Sequence, residues 1–310
     1  MCAWCCAPAR LRSAGTPEER RQARLALDAL DACGGLCSAT PPFGGIEIGC
    51  LGAFQVHING LTIQVQDWGR YDSGRAGAQK LQSVFAYLAH TGARGATREA
   101  IIAAVWGNAA GAASLARALT SLRTLIADAS GSELADSALV TDAERCMLRP
   151  DFIRNSADIF AQAFDLADRI EQRDGLAAAA PLYRCALELY GGPYMADIPR
   201  SNGWMLERRQ LLLGHFVNAA ERLAEQYVEE QRYRECVNVC TRAIDEAPDA
   251  DDVTIWLLQA YLRLDQGAEL ERAYRRYLRA TALNPLAPGA TADRVIATYE
   301  SLQRERKLGS

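Results

Sequence analysis

Cysteines near the N-terminus are the residues of this sequence best suited to metal or redox chemistry. Five of the ten cysteines fall within the first 37 residues, namely Cys2, Cys5, Cys6, Cys33 and Cys37. They form two groups at the ends of a predicted helix that begins near Thr16 and ends at Gly34-Gly35. Two groups of thiolates suit zinc, another soft metal such as monovalent copper, or an iron–sulfur cluster, although this spacing is not that of a zinc ribbon. The pattern leaves three interpretations open, which are a metal or cluster site, reversible thiol chemistry and inert thiols.

The other cysteines are expected to be packing residues. Cys50 alternates inward on a predicted strand, Cys146 lies in a predicted hairpin, and Cys185 lies in an apolar helix. Cys236 and Cys240 are one turn apart on a predicted helix, where packing is again expected. We assign no role to the histidines, which are His57, His90 and His215.

A second set of polar residues has the spacing needed to read DNA. Leu115, Leu119, Leu122 and Ile126 predict the buried face of a helix that begins at Ser114. The opposite face and its margins then carry Ser114, Arg117, Thr120, Ser121, Arg123 and Thr124. Such a stripe fits a major groove, because arginine pairs with guanine while serine and threonine contact phosphates or bases. The alternative is a solvated helix face with ordinary arginines.

Basic residues elsewhere in the same region are candidates for contacts with the DNA backbone. Arg145 and Arg149 belong to a predicted hairpin that is suited to the adjacent phosphates or the minor groove. Arg70, Arg75 and Lys80 are expected on the opposite flank. The acids Asp142 and Glu144 in the hairpin argue against a strong grip by one protomer, so we expect binding to depend on a dimer or a neighbouring protein.

Residues 46–150 predict a winged helix-turn-helix, which would position these side chains. Alternation over 46–50 and 54–58 predicts two strands, and Asn59-Gly60 predicts a hairpin turn into a third strand that extends to Val65. The period then becomes helical, with helices predicted over 78–90, after the N-cap Thr97 and from Ser114. Two short apolar runs, 138–140 and 146–148, predict the closing hairpin.

Residues 151–310 predict an all-helical domain. A weak repeat of about 34 residues, in which Leu223 and Tyr227 recur as Leu257 and Tyr261, is typical of tetratricopeptide-like helical repeats. Residues 1–45 precede both domains as a cysteine-rich extension with one helix. The chain is thus predicted to be mainly α, with a small β-sheet in its winged helix. The helices of the last domain are predicted over 157–172, 176–190, 204–230, 233–246, 251–266, 268–283 and 290–303.

The order of motifs resembles a known family of regulators. The first half resembles an OmpR-like winged helix in Leu51-Gly52-Ala53-Phe54, Asn59-Gly60, Gln79-Lys80-Leu81, Tyr87-Leu88-Ala89, Thr97-Arg98-Glu99, Val105-Trp106-Gly107 and Leu119 to Arg123. The second half resembles a bacterial transcriptional activation domain in Tyr190-Gly191-Gly192-Pro193-Tyr194, Trp204, Glu207-Arg208-Arg209, Tyr233, the helix from Cys236 to Ala243, Tyr274 and Asn284-Pro285. Together they resemble, over about residues 46–303, the antibiotic-regulatory-protein type of bacterial activators.

This resemblance implies a sequence-specific regulator that binds double-stranded promoter DNA and recruits RNA polymerase, as a homodimer on direct repeats. The first 45 residues depart from the family, whose members usually begin close to the first strand, and this departure suggests an added sensory or assembly function. An alternative of another class is a scaffold, in which the helical repeats bind a protein or a small ligand and the winged helix is a docking surface.

Composition and motifs are consistent with a non-enzymatic protein of the cytoplasm. No run of about 20 apolar residues predicts a membrane span, and no apolar secretory leader is visible. The phosphate-loop, dinucleotide, HExxH and GxSxG motifs are absent. Residues 46–150 carry nine basic and nine acidic groups, and the formal net charge of the whole chain is −4. The overall charge therefore does not indicate nucleic-acid binding, which must depend on the local placement of basic side chains.

Two further groups of arginines lie in the helical half. Arg208-Arg209 and the set Arg272, Arg275 and Arg276 are either solvated helix faces, which we favour, or contacts for an anionic ligand such as a nucleotide.

Overall fold

The computed structural model describes residues 28–29, 43–70, 75–107, 111–142, 145–198, 203–286 and 293–308. By their contacts these residues divide into two compact units. The first comprises the chain up to Gln162 together with Leu189–Gln210, and the second comprises Ala163–Glu188 and the chain from Leu211 onward. The five N-terminal cysteines lie outside the described residues.

The elements of the first half alternate between short strands and helices. They are β1 (Ile46–Gly49), β2 (Gln55–Ile58), β3 (Leu61–Thr62), α1 (Val65–Arg70), α2 (Arg75–Thr91), β4 (Ala96–Thr97), α3 (Arg98–Trp106), α4 (Ala112–Ser130), α5 (Ser132–Ala138), β5 (Leu139–Thr141), β6 (Arg145–Leu148) and β7 (Ile153–Asn155). The rest is helical, with α6 (Ser156–Asp174), α7 (Leu176–Leu189), α8 (Leu206–Glu229), α9 (Tyr233–Glu246), α10 (Asp251–Arg263), α11 (Gly267–Thr281) and α12 (Arg294–Leu308). The fold class is as predicted, since a small sheet region is followed by an all-helical part.

The first sheet has the strand order β3-β2-β1-β7. β1 and β2 are antiparallel with Ile46 opposite Ile58, and both side chains are buried, as the alternation predicted. Asn59 and Gly60 join β2 to β3 with φ of 50° and 80°, values that suit a hairpin turn of the Asn-Gly kind. The sequence did not reveal β7, which pairs in parallel with β1.

The predicted extension of the third strand to Val65 is wrong. β3 ends at Thr62, and Val65 begins α1 with a side chain that is 83% exposed. The Asp67 carboxylate accepts a hydrogen bond from the Gln64 amide (2.8 Å), which satisfies an otherwise free donor ahead of the helix. Trp68 then becomes buried edge-on against Phe85, and this burial favours a helical turn over a longer strand.

The three helices and the closing hairpin of the winged helix are confirmed. The Thr97 hydroxyl caps α3 by accepting a hydrogen bond from the Ala100 amide (3.2 Å). β5 and β6 pair as predicted, and β4 joins them to give a second sheet with the order β4-β6-β5. Helix α5 was not predicted. It is separated from α4 by Gly131, whose φ of 91° ends the preceding helix.

The predicted helices of the second half agree with the structure to within a few residues at most ends. In the second unit, α10 packs against α9, α11 and α12, and a core around Leu258, Leu270 and Tyr277 lies among α10, α11 and α12. None of the helices in the described ranges is both long enough and apolar enough to cross a bilayer.

Candidate nucleic-acid interface

The third helix of the winged helix, α4, presents a narrow exposed stripe. Leu115, Leu119, Leu122 and Ile126 are buried, as their spacing predicted. The exposed positions of α4 are Ala112, Ala113, Ala116, Arg117, Thr120 and Thr124, and the acid Asp128 continues them toward the end of the helix. Most of these side chains are small, so the helix backbone can approach a groove closely.

Arg117 is the free cation of this stripe. Its side chain is exposed, and within the described part of the chain its guanidinium makes no hydrogen bond or ion pair. A guanidinium in this state retains all its donors for a bidentate contact to guanine or to phosphate.

Arg123, predicted as an equivalent contact, is instead committed to the fold. Its guanidinium donates to the Leu139 carbonyl (3.1 Å) and the Thr141 hydroxyl (3.1 Å), and it lies 3.3 Å from the Asp136 carboxylate. These partners belong to α5 and β5, so Arg123 fastens α4 to the second sheet. A contact to a base would require this side chain to leave its partners.

The hydroxyl residues of α4 differ in their accessibility. Ser114 and Ser121 are half-buried, whereas Thr120 and Thr124 are exposed. The Thr120 hydroxyl donates to the Ala116 carbonyl (3.0 Å), and the Thr124 hydroxyl donates to the Thr120 carbonyl (3.1 Å). Each threonine hydroxyl therefore uses its proton within the helix and offers a lone pair to an external donor.

The hairpin between β5 and β6 brings further arginines together at its turn. The exposed Arg145 side chain donates to the Arg94 carbonyl (3.2 Å), and Arg98 donates to the Asp142 carbonyl (3.1 Å). Sequence patterns did not single out Arg94 or Arg98, because only the pairing of β4 with β6 places them beside Arg145. The Asp142 carboxylate accepts the Arg145 backbone amide, so it serves the turn.

The remaining predicted backbone contacts have mixed surroundings. Arg149 lies over the Phe152 ring at 5.6 Å and is 45% exposed. The Lys80 ammonium donates to the Val105 carbonyl near the end of α3, where it serves as a structural cap. Arg70 is exposed beside Asp67 at 3.5 Å. Arg75 begins α2, but its side chain lies outside the described part.

A segment that follows α7 along the chain belongs to the first unit, and we call its described residues 189–198 and 203–210 the strap. The strap continues the hydrogen bonding of the loop after β1, because Gly52 donates to the Pro193 carbonyl (3.1 Å) and Met195 donates to the Cys50 carbonyl (2.7 Å). A Cβ on Gly191 would lie 2.8 Å from the Leu51 carbonyl oxygen, so this close approach requires glycine.

Arg208 and Arg209 hold the strap in place, so the prediction that they form a solvated face is wrong. The Arg208 guanidinium forms an ion pair with Asp158 and lies over the Tyr194 ring at 5.2 Å. Arg209 donates to the carbonyls of Tyr194 (2.7 Å) and Met195 (3.0 Å). Both guanidinium groups therefore bond to acceptors within the first unit.

Two titratable side chains beside the strap are uncharged at neutral pH, and of these Cys50 is buried and His90 is half-buried. Burial raises the pKa of the Cys50 thiol to about 11, and the thiol donates to the Asn155 amide oxygen (2.8 Å). Burial, assisted by the charges of Arg208 and Arg94, lowers the pKa of His90 to about 4. The His90 ring packs against Trp204 and Tyr87, with ring centroids 4.9 Å and 6.4 Å away.

Four cysteines of the described ranges have the packing role that was predicted for them, whereas Cys185 is buried but disulfide-bonded, so the prediction that it serves only in packing is wrong. Cys50, Cys146, Cys236 and Cys240 are fully buried free thiols, and the last two lie with their sulfur atoms 3.9 Å apart. Within the described ranges no group of three or more histidine, cysteine or acidic side chains is placed to hold a metal ion.

Comparison with known proteins finds a family for the second half of the chain and a similar solved structure. Residues 157–294 match the family described as bacterial transcriptional activator domain. A solved structure of Mycobacterium tuberculosis EmbR, in complex with a low-affinity phosphopeptide, is similar with a TM-score of 0.62 and 20% sequence identity. The similarity covers 84% of this chain and 65% of the EmbR chain, so this chain spans less than two thirds of that protein. No curated protein matches the sequence significantly.

The family match bears out the resemblance of the second half to a bacterial transcriptional activation domain. The structural match, at its low sequence identity, is evidence for the fold alone.

Proposed function

The chain carries a bacterial transcriptional activator domain, and from this premise we propose that it is a sequence-specific DNA-binding regulator that activates transcription. The observation that carries the proposal is Arg117, an exposed and unpaired guanidinium amid the small side chains of α4. Arg117 makes the bidentate contact to guanine, and the methyl groups of Ala113 and Ala116 contact thymine methyl groups in the same groove.

The hairpin between β5 and β6 and the residues around it supply contacts to the DNA backbone. Arg94, Arg98, Arg145 and Arg149 provide positive charge beside α4, which is the placement expected for phosphates that flank the groove. Thr120 and Thr124 accept hydrogen bonds from base amino groups, since their hydroxyl protons are used within the helix. Because one protomer offers few cations, it binds as a homodimer on direct repeats, and the second protomer supplies the missing affinity.

The helical half is proposed to recruit RNA polymerase once the protein is bound at a promoter in the cytoplasm. The domain family supports this role and also supports a function without catalysis. For the N-terminal cysteines, Cys2, Cys5, Cys6, Cys33 and Cys37, the proposal stays as the sequence suggests it, with a soft metal or thiol oxidation as the signal.

The test is selection of fragmented genomic DNA on the purified protein, followed by affinity measurements on the enriched site. Replacement of Arg117 by alanine removes one bidentate contact, so we expect a loss of roughly ten- to a hundredfold in affinity and relaxed preference at one base pair. Arg234→Ala is the matched control, because Arg234 is also an exposed arginine but lies on α9.

Two additional arms distinguish the parts of the proposal. Arg123→Ala is expected to lower the stability of the first unit and to leave the base preference unchanged, because Arg123 is bound to Leu139 and Thr141. Repeating the selection after metal removal and after thiol oxidation tests the role of the cysteines. If no sequence is enriched under any condition, the winged helix is a docking surface and the scaffold alternative replaces the regulator.

A further inference from the structure

The second unit contains a groove between three helices that the proposed DNA-binding function does not use. It has a volume of about 710 Å³ and is lined by side chains of α9, α10 and α11. This volume lies within the range of roughly 300 to 1,000 Å³ that is usual for binding pockets. The floor is apolar and is formed by Ile244, Leu257, Tyr261, Ala273 and Leu278.

The rim of the groove is basic. Four arginines of α11 line it, namely Arg272, Arg275, Arg276 and Arg279. Their spacing distributes positive charge over about 10 Å of helix axis. Glu269 is the one carboxylate among the lining residues, so the lining has a clear excess of positive charge in a half of the chain that is otherwise acidic.

Arginines of the rim can form ion pairs with carboxylates of a binding partner in place of their present ones. Arg272 and Arg275 are about 70% exposed, and each is paired with a glutamate one helical turn away on α11. Exposed pairs of this kind contribute only about 0 to 1 kcal/mol, so a carboxylate of a partner can replace Glu269 or Glu271 at little cost. Arg276 is more tightly held, by Asp245 at 2.8 Å and by the Ile244 carbonyl at 2.9 Å.

We infer that this groove binds an extended segment of a partner protein in which acidic and apolar side chains are combined. The arginine rim pairs with the acids, and the floor around Leu257 and Tyr261 receives the apolar side chains. The apolar floor favours a peptide over a nucleic acid, because a phosphate backbone would leave the floor uncovered. The inference stands on the groove alone and is independent of the proposed DNA binding.

The experiment is selection of a displayed library of random dodecapeptides on the full chain, followed by anisotropy measurements on the enriched peptides. We expect enrichment of peptides that combine aspartate or glutamate with leucine, isoleucine or phenylalanine. The double variant Arg275→Glu/Arg279→Glu reverses two charges at the rim. We expect it to lower the affinity for these peptides by roughly tenfold or more. Replacing the acids of a selected peptide by their amides should have a similar effect.

Two controls separate the groove from general charge effects and from misfolding. The variant Arg234→Glu/Arg263→Glu reverses two exposed charges of the same unit outside the groove, and it should bind the peptides like the parent. Ala273→Leu fills the floor of the groove without changing its charge and should also weaken binding, while circular dichroism confirms that α11 is retained.

The inference is overturned if no acidic–apolar peptides are enriched, or if the Arg275→Glu/Arg279→Glu variant binds them as well as the parent. It is also overturned if this variant loses affinity for double-stranded DNA instead, since the rim would then be a polyanion site. Retained DNA binding together with lost peptide binding supports it. The same measurements on Arg117→Ala show the reverse pattern, so the two proposals fail or succeed separately.

Discussion

The strap and the helix α11 use similar groups of arginines in opposite ways. In the strap, Arg208 and Arg209 are directed at a carboxylate and at two backbone carbonyls of the first unit. In α11, Arg272 and Arg275 are largely exposed and, among the residues that the structure describes, form ion pairs with glutamates of their own helix. The two groups are indistinguishable as local sequence. The difference shows that an arginine becomes structural where irregular backbone leaves carbonyls to satisfy, and stays available where a regular helix satisfies its own.

The largest effect that this comparison predicts is at Arg208. Replacement by methionine keeps the length of the side chain but leaves the Asp158 carboxylate without its partner in a partly buried site. We expect the free energy of unfolding to fall by about 2–3 kcal/mol, measured by chemical denaturation. The double variant Arg208→Met/Asp158→Asn should recover part of the loss, because no unpaired charge remains. Parent-like stability of the single variant would contradict a structural role for the strap arginines.

A smaller loss is expected at Arg209. Its replacement by methionine removes the charged donors from the Tyr194 and Met195 carbonyls, which then depend on water. We expect a destabilisation of about 1–2 kcal/mol in the same denaturation experiment. Hydrogen exchange at the amides of Met195 and Ala196, which donate to Cys50 and Gly52, should accelerate, while exchange in α11 should not change.

The surroundings of His90 make the stability of the strap region dependent on pH. The pKa of His90 is lowered to about 4 in the folded protein, so the unfolded chain binds a proton first as the pH falls. The contribution of neutral His90 to the free energy of unfolding is fully present above about pH 6.5. It is lost as the pH falls from about 6.5 to about 4. We expect the parent to lose roughly 1–2 kcal/mol more than His90→Gln over this range, allowing for the partly exposed ring.

The measurement is the free energy of unfolding at pH 7 and pH 4.5 for the parent and the variant. His57→Gln is the control, since His57 bonds only with the Thr62 hydroxyl at an exposed position. Equal pH dependence of the parent and His90→Gln would show that the ring packed against Trp204 does not resist protonation.

The smallest effect is expected at α11. Arg275→Met removes an exposed pair with Glu271, whose carboxylate also accepts a hydrogen bond from Tyr299. The free energy of unfolding should change by less than about 0.5 kcal/mol. A loss as large as that at Arg208 would mean that the rim of the groove is structural, and it would remove the contrast with the strap.

The sequence predicted those parts of the fold that depend on periodicity. The buried faces of α2 to α4, the Asn59-Gly60 turn, the Thr97 cap and the closing hairpin follow from local pattern, and the structure contains them. The short elements β4, β7, α1 and α5 were missed, because each is too short to show a repeat and β4 and β7 form only by pairing with distant strands. β7 pairs with β1 across about a hundred residues, and no local pattern signals such pairing.

For the candidate interface, the sequence placed the residues on one helix, α4, but did not distinguish their surroundings. Arg117 and Arg123 lie six positions apart on the same helix but have different surroundings. The Arg117 guanidinium is unpaired within the described part of the chain, whereas Arg123 bonds to β5. Arg123 bonds to the Leu139 carbonyl, which any residue would provide, and contacts Thr141 and Asp136, whose proximity follows from the fold rather than from a local pattern. Metal ligation by the N-terminal cysteines stays a prediction.

The path of the chain through the two units limits how related proteins can exchange domains by recombination. The chain passes from one unit to the other at residues 162–163, 188–189 and 210–211, because the strap lies between two stretches of the second unit. A single recombination event near residue 150 would therefore join one protein's sheet to another protein's strap. Gly191 and Met195 would then meet the loop after β1 from a different protein, so exchange of the winged helix between relatives requires the strap to be exchanged with it.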